Sequence, residues 1–162
     1  MAETWPEPVE RVASFLRRGA VESRIEEFEA GTPTAEDAAR AVGCTLSQIV
    51  KSLVFECGGA PIVVLVPGDR RADTAKIGQA AGCGKAKIAG PDQVREATGF
   101  EPGAVSPFPL PKVTRVLVDR QLLVHERVWI GAGSPSHMAA LAPSDLVRLA
   151  KAEPVDAVSE AT

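Results

Sequence analysis

Two apolar segments separated by a glycine-rich turn are the strongest structural signal in this sequence. Ser52 to Glu56 and Ile62 to Val66 are rich in β-branched and aromatic residues, and Cys57-Gly58-Gly59-Ala60-Pro61 lies between them. Glycines at such a position favour a turn between antiparallel strands. The pattern predicts a β-hairpin in a central sheet, with a turn longer than the two-residue ideal.

A single lysine, Lys51, lies in the apolar run that leads into the first strand of this hairpin. Residues Thr45 to Lys51 are expected to be helical and to pass directly into the strand, which places Lys51 at the rim of the sheet. An ammonium among apolar neighbours must reach water along its stem or meet an anion, because an unpaired buried charge is costly. Two interpretations follow: a lysine that extends to solvent, or one that binds an anionic ligand.

The rest of the chain predicts mixed helices and strands in one domain. Helices are predicted from Pro8 to Gly19, Ala35 to Val42, Thr74 to Ala81, Pro91 to Thr98, and Pro143 to about Ala152. Strands are predicted at Arg24 to Phe28, Ala86 to Ala89, Val113 to Asp119, Arg127 to Ile130 and His137 to Leu141. Gly31-Thr32-Pro33 is expected to be a turn, and Phe100 to Lys112, with its four prolines, a structured loop.

The domain prediction covers the whole chain, 1–162. Its core is expected at about 35–150, with an N-terminal helix and strand in 1–34 and a loose tail at 153–162. No apolar run approaches the roughly 18 to 20 residues of a membrane span, and the N-terminus has no signal-peptide pattern. The protein is therefore expected in the cytoplasm, without a membrane partner.

Charge and cysteine content exclude some functions. Eighteen basic and 21 acidic residues give a net charge of −3, which argues against a protein that binds long stretches of nucleic acid but allows a short contact. One basic concentration exists, and a solvated charged face explains it equally well: Arg70, Arg71, Lys76, Lys85 and Lys87. The three widely spaced cysteines suggest neither a zinc site nor a disulfide framework, so reduced thiols are expected.

Familiar catalytic motifs are absent, but two glycine- and proline-containing loops are candidates for a site. They are Gly103-Ala104-Val105-Ser106-Pro107 and Gly131-Ala132-Gly133-Ser134-Pro135. Together with Lys51 they can form a pocket in which backbone N–H groups hold a carbonyl or a developing oxyanion. Taken singly, each loop is an ordinary turn. Ser52 and Ser106 are interpreted as structural hydroxyls rather than nucleophiles, because neither has a local motif that supplies a base.

The ordered set of these segments resembles the YbaK/prolyl-tRNA synthetase-associated domain family. The resemblance is carried by Gln48 to Phe55, Pro67 to Arg71, Thr98 to Pro107, Val118-Asp119 and Trp129 to Gly133, and it extends from about Ala35 to Ala150. It implies an α/β fold with a mixed, strongly curved central sheet flanked by helices. It also implies a trans-editing deacylase that hydrolyses the ester of mischarged tRNA, such as cysteine or alanine on a proline tRNA, with prolyl-tRNA synthetase as a possible partner.

The resemblance also implies roles for particular residues. The family's lysine falls on Lys51 and its GxxxP loop on Gly103 to Pro107, so Lys51, Gly103 and Ser106 are predicted to be catalytic. Substrate binding is assigned to a further set: Arg70, Ala104, Val105, Pro107, Gly131, Gly133 and His137. No metal, cofactor or protein nucleophile is expected.

Two departures from the family leave the amino-acid specificity open. Ala104 replaces a second glycine common in cysteine-specific members, and His137 lies in a Ser-Pro-Ser-His-Met stretch that resembles some alanine-editing relatives. For His137, a structural role at a loop or strand edge competes with a substrate contact. The alternative function is a non-catalytic module that binds a nucleotide or an aminoacyl group, or that docks on a synthetase.

Overall fold

The predicted hairpin forms the centre of a five-stranded sheet. In the computed structural model, which describes residues 5–21, 23–28 and 34–159, β2 (Val50–Cys57) pairs antiparallel with β3 (Ala60–Pro67), and Ser52 faces Leu65 across the pair. Three shorter strands complete the sheet in the order β4-β2-β3-β5-β8: β4 (Lys87–Ile88), β5 (Arg115–Asp119) and β8 (Ala152–Val155). The β3–β5 and β5–β8 pairs are parallel, so the sheet is mixed.

A second sheet of three strands adjoins the first. It has the order β1-β7-β6 and is entirely antiparallel: β1 (Ile25–Glu27), β6 (Val128–Ser134) and β7 (His137–Leu141). A single β-bridge between Ile49 and Trp129 links it to the start of β2. The expectation of one central sheet is therefore corrected to two sheets, while the mixed α/β character is confirmed. Strong curvature stays a prediction.

Five α-helices pack around the sheets in the described part of the chain. They are α1 (Glu7–Arg18), α2 (Ala35–Val42), α3 (Thr74–Ala81), α4 (Pro91–Thr98) and α5 (Pro143–Ala150). Their sequence signals act as expected: the Thr34 hydroxyl accepts the Asp37 N–H at 3.1 Å, which caps α2, and Gly43 ends the helix at φ 73°. No helix of these described segments is long and apolar enough to cross a membrane.

The two faces of the five-stranded sheet bury two separate cores. Strand residues alternate between faces, so Val50 and Val54 point to one core and Phe55 to the other. The larger core is shared with α1, α5 and the second sheet, through residues such as Leu16 and Ile130. The smaller core lies under α3 and the C-terminal segment. The sheet is therefore the middle layer, and the junction of the two sheets lies on its larger-core side.

Helix α1 is held against the second sheet by a close backbone approach. Its buried stripe is the one that the sequence predicts: Val9, Val12, Ala13 and Leu16. Gly133 of β6 has φ 99°, and a Cβ atom there would lie 2.6 Å from the Pro8 carbonyl oxygen. Only glycine allows both this backbone conformation and this contact. Gly133 therefore positions α1 on β6.

Three local expectations are corrected by the structure. The helical turn before the hairpin is a 3₁₀ turn at Leu46–Gln48, and Lys51 is the second residue of strand β2 rather than the end of a helix. The expected second loop is mostly strand, because β6 runs through Ser134 with a register irregularity between Gly131 and Ser134. The strand predicted at 127–130 therefore ends too early. Glycines are typical of a loop, but the irregular pairing of a β-bulge accommodates them within a strand.

The tail and two cysteines also differ from expectation. Residues 152–155 form β8, and Val158 bridges to Ala72 with only 4% of its surface exposed, so the described part of 153–162 is packed rather than loose. Cys57 and Cys83 form a disulfide with their Cα atoms 5.6 Å apart, which corrects the expectation of three reduced thiols. The turn at 31–33, the first four residues and 160–162 lie outside the described residues.

Candidate active site

A cavity of about 250 Å³ lies where the two sheets meet. Its walls come from the start of β2, the N-terminus of α2, the end of β6, the start of β7, and the proline-rich loop after α4. The bridge between Ile49 and Trp129 brings the two sheets together at this point. Segments far apart in the sequence therefore converge on one space, which is the usual setting of a small-molecule site.

Lys51 lies on the wall of this cavity and also on that of a neighbouring one. Its ammonium donates a hydrogen bond to the Arg70 backbone carbonyl at 2.7 Å, and the side chain is half-buried. Burial lowers the pKa of Lys51 from its ordinary value, and Arg71 adds to the effect, whereas the carboxylates of Glu36 and Asp69 oppose it. The other two ammonium protons have no acceptor among the described residues and are available to a ligand.

The neighbouring cavity is larger and more charged. It has a volume of about 610 Å³ and is lined by Lys51, Arg70 and Arg71 together with Glu36 and Asp69. Three cationic and two anionic side chains leave an excess of one positive charge, which suits an anionic ligand that extends beyond the first cavity. Arg70, predicted to bind substrate, lines this second cavity and not the first.

The loop that carries the GxxxP pattern contributes two residues to the first cavity, Gly103 and Val105. Their backbone N–H groups make no hydrogen bond within the described part of the chain, whereas the N–H of Ala104 donates to the Glu101 carbonyl at 2.9 Å. Gly103 has φ 83°, and a Cβ atom there would meet no atom within 4 Å, so the backbone faces open space. Alternate amides of the loop are thus free to donate to a ligand.

The other predicted residues of this loop point away from the cavity. Ser106 is fully buried, and its hydroxyl accepts the Phe108 N–H at 3.4 Å, which ties the loop to itself. Ala104 is also buried, and Pro107 lies against a different surface beside Phe15. None of these three described residues lines the 250 Å³ cavity. Their position supports a structural role for each, and their predicted functional roles stay predictions.

The irregular end of β6 supplies a glycine and a serine to the opposite part of the wall. Gly131 lines the cavity, and a Cβ atom there would lie 3.4 Å from the Val105 carbonyl oxygen. Gly133 does not line it, because it faces α1 as described above. Ser134 lines it, and its hydroxyl oxygen accepts the Ser136 N–H at 3.1 Å.

His137 opens β7 on the cavity wall and is only 4% exposed. Its Nε2 lies 3.0 Å from Glu27 Oε2, and its Nδ1 lies 2.5 Å from Ser134 Oγ. The Trp5 ring meets the imidazole edge-on at a centroid distance of 5.2 Å. Both imidazole nitrogens therefore have polar partners, and the ring also packs against Trp5. Together these contacts fix the orientation of the His137 side chain.

Ser52 contributes a second hydroxyl to the wall. It is on the same face of β2 as Val50 and Val54, and its Oγ is buried without a hydrogen-bond partner among the described residues. A buried hydroxyl without a partner costs roughly 1–3 kcal/mol, so native proteins seldom retain one without a use. A ligand in the cavity is the nearest source of a partner.

Sequence reasoning thus found part of the site. The structure brings together five of the predicted residues, Lys51, Gly103, Val105, Gly131 and His137. Ser134 stood in a predicted loop but received no role, and Glu27 was missed altogether, since it is 110 residues from His137 and lies in a weakly alternating strand. No sequence signal links two residues across that distance. No group of three or more metal-ligating side chains occurs in the described segments.

Comparison with the sequences of known proteins identifies a family and several relatives. A model of the aminoacyl-tRNA editing domain matches residues 29–149. The uncharacterized protein YwhH of Bacillus subtilis (strain 168) is 36% identical over 126 residues, which are 77% of this chain and 80% of that protein. The proline–tRNA ligase of Maridesulfovibrio salexigens is 33% identical over 104 residues, which are 64% of this chain and 18% of the ligase.

Comparison of folds extends the match to almost the whole chain. A crystal structure of a proposed trans-editing enzyme for prolyl-tRNA synthetase superposes with a TM-score of 0.90 at 33% sequence identity, covering 97% of this chain and 100% of that one. The similarity therefore includes α1 and β1, which precede the region matched by the sequence model. The ligase, in contrast, is matched over less than a fifth of its length.

Proposed function

This chain belongs to the aminoacyl-tRNA editing domain family, and we propose that it hydrolyses the ester between a wrong amino acid and the 3′ end of a tRNA, acting in trans. The observation that carries the proposal is the 250 Å³ cavity, which is lined by Lys51 together with Gly103 and Val105, two residues whose amides make no hydrogen bond in the described part of the chain. Convergent N–H groups are what an anionic transition state requires, and a cationic side chain beside them suits the nucleotide that carries the ester. The proposed substrate makes the cytoplasm, where tRNAs are charged, the proposed location of the protein.

The proposed mechanism needs no protein nucleophile. The amides of Gly103 and Val105 donate to the ester carbonyl oxygen, which becomes negative as water attacks the carbonyl carbon. The C–O bond to the terminal ribose then breaks, one water proton goes to the departing ribose oxygen, the other is released to solvent, and the amino acid leaves as a carboxylate. Because an aminoacyl ester is already activated, orientation and preorganised donors supply most of the necessary rate enhancement.

Lys51 holds the nucleotide part of the substrate in this proposal. Lys51 lines both cavities, so its ammonium can contact the terminal adenosine or its phosphate while the aminoacyl group occupies the smaller cavity. The larger cavity, with Arg70 and Arg71, then accepts the remainder of the tRNA end. An acidic protein with one such basic wall makes only a short tRNA contact, and prolyl-tRNA synthetase is the proposed partner that supplies more.

The size of the smaller cavity limits the amino acid. A volume of about 250 Å³ is below the roughly 300–1,000 Å³ typical of pockets for drug-sized ligands. It suits a small aminoacyl group, and alanine or cysteine on a proline tRNA are the proposed substrates. His137 and Ser134 supply polar side chains to the wall of this cavity.

The test is a deacylation panel. Purified protein is mixed with proline tRNAs carrying alanine, cysteine, serine or proline, and loss of the ester is measured against a protein-free blank. We expect acceleration on alanine or cysteine and none on proline. If no ester is hydrolysed faster than in the blank while an aminoacyl-tRNA still binds, the alternative of a non-catalytic aminoacyl-binding or synthetase-docking module is correct instead.

A further inference from the structure

Two residues that precede the region matched by the family model converge on His137. The matched region begins at residue 29. Glu27, in β1, places a carboxylate oxygen 3.0 Å from His137 Nε2, and Trp5 contacts the ring edge-on at 5.2 Å. The β1–β7 pairing sets this geometry, because Glu27 and His137 are directly opposite in the strand register. The N-terminal segment therefore holds His137 in place from behind the cavity wall, since His137 lines the cavity whereas Glu27 and Trp5 do not.

The chemistry of these contacts selects one form of the neutral imidazole. A carboxylate only accepts hydrogen bonds, so His137 Nε2 must carry the proton that it donates to Glu27. In the neutral ring, Nδ1 is then an acceptor, and the Ser134 hydroxyl must donate to it across the 2.5 Å contact. The Ser134 oxygen keeps its lone pairs, one of which accepts the Ser136 N–H at 3.1 Å. The second lone pair faces the Ser136 hydroxyl at 3.3 Å, a longer contact that the amino group of a ligand can replace.

We propose that Glu27 is a positioning residue that, through His137, turns the Ser134 oxygen into a hydrogen-bond acceptor for the amino group of the aminoacyl ester. The inference depends on the proposed function, because it assigns a contact to that substrate. Without the carboxylate, the proton can move to Nδ1. Ser134 then receives a hydrogen bond where it formerly gave one, and its own proton is free to point into the cavity and repel an ammonium.

Ser134 is assigned binding rather than attack. Its oxygen is tied into its own turn by the Ser136 N–H and lies 3.3 Å from the Ser136 hydroxyl as well. These bonds keep it in place for recognition. The free amides of Gly103 and Val105, where the carbonyl is proposed to lie, belong to a different wall of the cavity.

Three variants isolate the contribution of Glu27. Glu27→Met removes the carboxylate but keeps the length of the side chain, and Glu27→Gln retains an oxygen that can accept a hydrogen bond from the Nε2–H group. Glu26→Met is the matched control, since it removes the same charge from the adjacent residue, which points to the other face of β1. Thermal unfolding of each variant checks that β1 still pairs with β7.

The first measurement is spectroscopic and independent of activity. The chain has two histidines, so ¹⁵N NMR of the full-length protein, with both rings neutral, yields two sets of ring signals, and a His125→Gln protein identifies those of His137. We expect the Nε2–H tautomer in the unmodified protein, in Glu27→Gln and in Glu26→Met, and a loss of that preference in Glu27→Met. An unchanged His137 tautomer in Glu27→Met overturns the inference.

The second measurement separates binding from turnover. With the best aminoacyl-tRNA of the panel, Glu27→Met is expected to raise KM about tenfold with little change in kcat. The magnitude is taken from metal sites, where removing the partner that orients a histidine ligand costs roughly 10- to 100-fold, and the lower end of that range is used. On the same tRNA with an N-acetylated amino acid, which lacks the ammonium, the variant and the unmodified protein should be alike. An equal loss on both substrates refutes the assignment to the amino group. A failure of the proposed function is distinguishable, because then the unmodified protein hydrolyses no ester although the tautomer result stands.

Discussion

Replacement of Lys51 by methionine is the change that best separates a structural lysine from a functional one. Methionine keeps the apolar stem and removes the ammonium. The Arg70 carbonyl loses a donor at 2.7 Å, which costs about 1 kcal/mol, but the burial of a charge is relieved at the same time. We therefore expect the free energy of unfolding at neutral pH to change by no more than about 1 kcal/mol.

The expected effect on turnover is much larger. An ammonium about 4 Å from a phosphate or an oxyanion is worth roughly 4 kcal/mol at the effective dielectric constant near a protein surface, and less where water enters. With Lys51 half-buried on the wall of two cavities, about 2 to 4 kcal/mol of transition-state binding is expected to be lost. That corresponds to a roughly 30- to 1,000-fold decrease in rate. Lys51→Arg should recover little, since a planar guanidinium does not place its charge where the ammonium does.

The assay is single-turnover deacylation of the best panel substrate, beside thermal unfolding. Lys112→Met is the matched control, because Lys112 is exposed and lines neither of the two cavities. It should keep the rate of the unmodified protein. A Lys51→Met protein that is folded and equally fast would refute both the role of the lysine and the site built around it.

The pH dependence of stability offers an independent check of the burial of Lys51. Its folded-state pKa is lowered from 10.5 by burial first of all, so the unfolded chain binds this proton more tightly. The contribution of Lys51 to the free energy of unfolding should then rise as the pH increases from the lowered pKa to 10.5. Any stability gained by Lys51→Met should accordingly be present at neutral pH and shrink across that alkaline window, as measured by denaturant unfolding.

Three further changes test other parts of the structure. Gly131→Ala should slow deacylation about tenfold by narrowing the cavity, while the melting temperature stays nearly constant. Gly133→Ala, at φ 99°, should instead lower the free energy of unfolding by at least about 2 kcal/mol, as measured with denaturant. Equal free energies of unfolding for the two variants would contradict the geometry. Replacing Cys57 and Cys83 by serine should destabilise the oxidised protein by about 3 kcal/mol, given their sequence separation of 26. Deacylation at low temperature should remain intact. If a reducing agent does not change the melting temperature of the unmodified protein, the disulfide is contradicted. Ser52→Ala should raise the free energy of unfolding by about 1 kcal/mol, because it removes a buried hydroxyl without a partner; a loss of stability would mean that the hydroxyl has one.

Local signals in the sequence were sufficient for most elements of the fold. The capped helix that begins after Thr34, the glycine-terminated α4 and the central hairpin each follow from a few adjacent residues. The end of β6 did not, since Gly131 to Gly133 are compatible with a loop until the partner strand β7 is known. The prediction of a loose C-terminal tail was wrong for a similar reason. The burial of this segment depends on parallel pairing with β5, which no local pattern encodes.

The candidate site shows the same limit more sharply. Lys51 was identifiable because a charge in an apolar strand violates the local pattern, and the loop at Gly103 because its glycines and prolines do. Glu27 violates nothing in its own neighbourhood, where acidic residues are common. Its importance arises only from the register of β1 against β7, which brings it opposite His137. Residues that contribute to a site through another residue are therefore the hardest to identify from the sequence.

The location of the cavity at the junction of two sheets has a mechanistic consequence. The Lys51 ammonium and the Ser52 hydroxyl belong to the five-stranded sheet, whereas His137 and Gly131 belong to the three-stranded one. The distance between the two sets of groups is thus set by how the sheets meet, at the bridge of Ile49 with Trp129 and in a small core that joins α2 to β7. Because a displacement of about 1 Å is enough to impair catalysis about a hundredfold, packing in that small core controls the site as directly as the residues that line it.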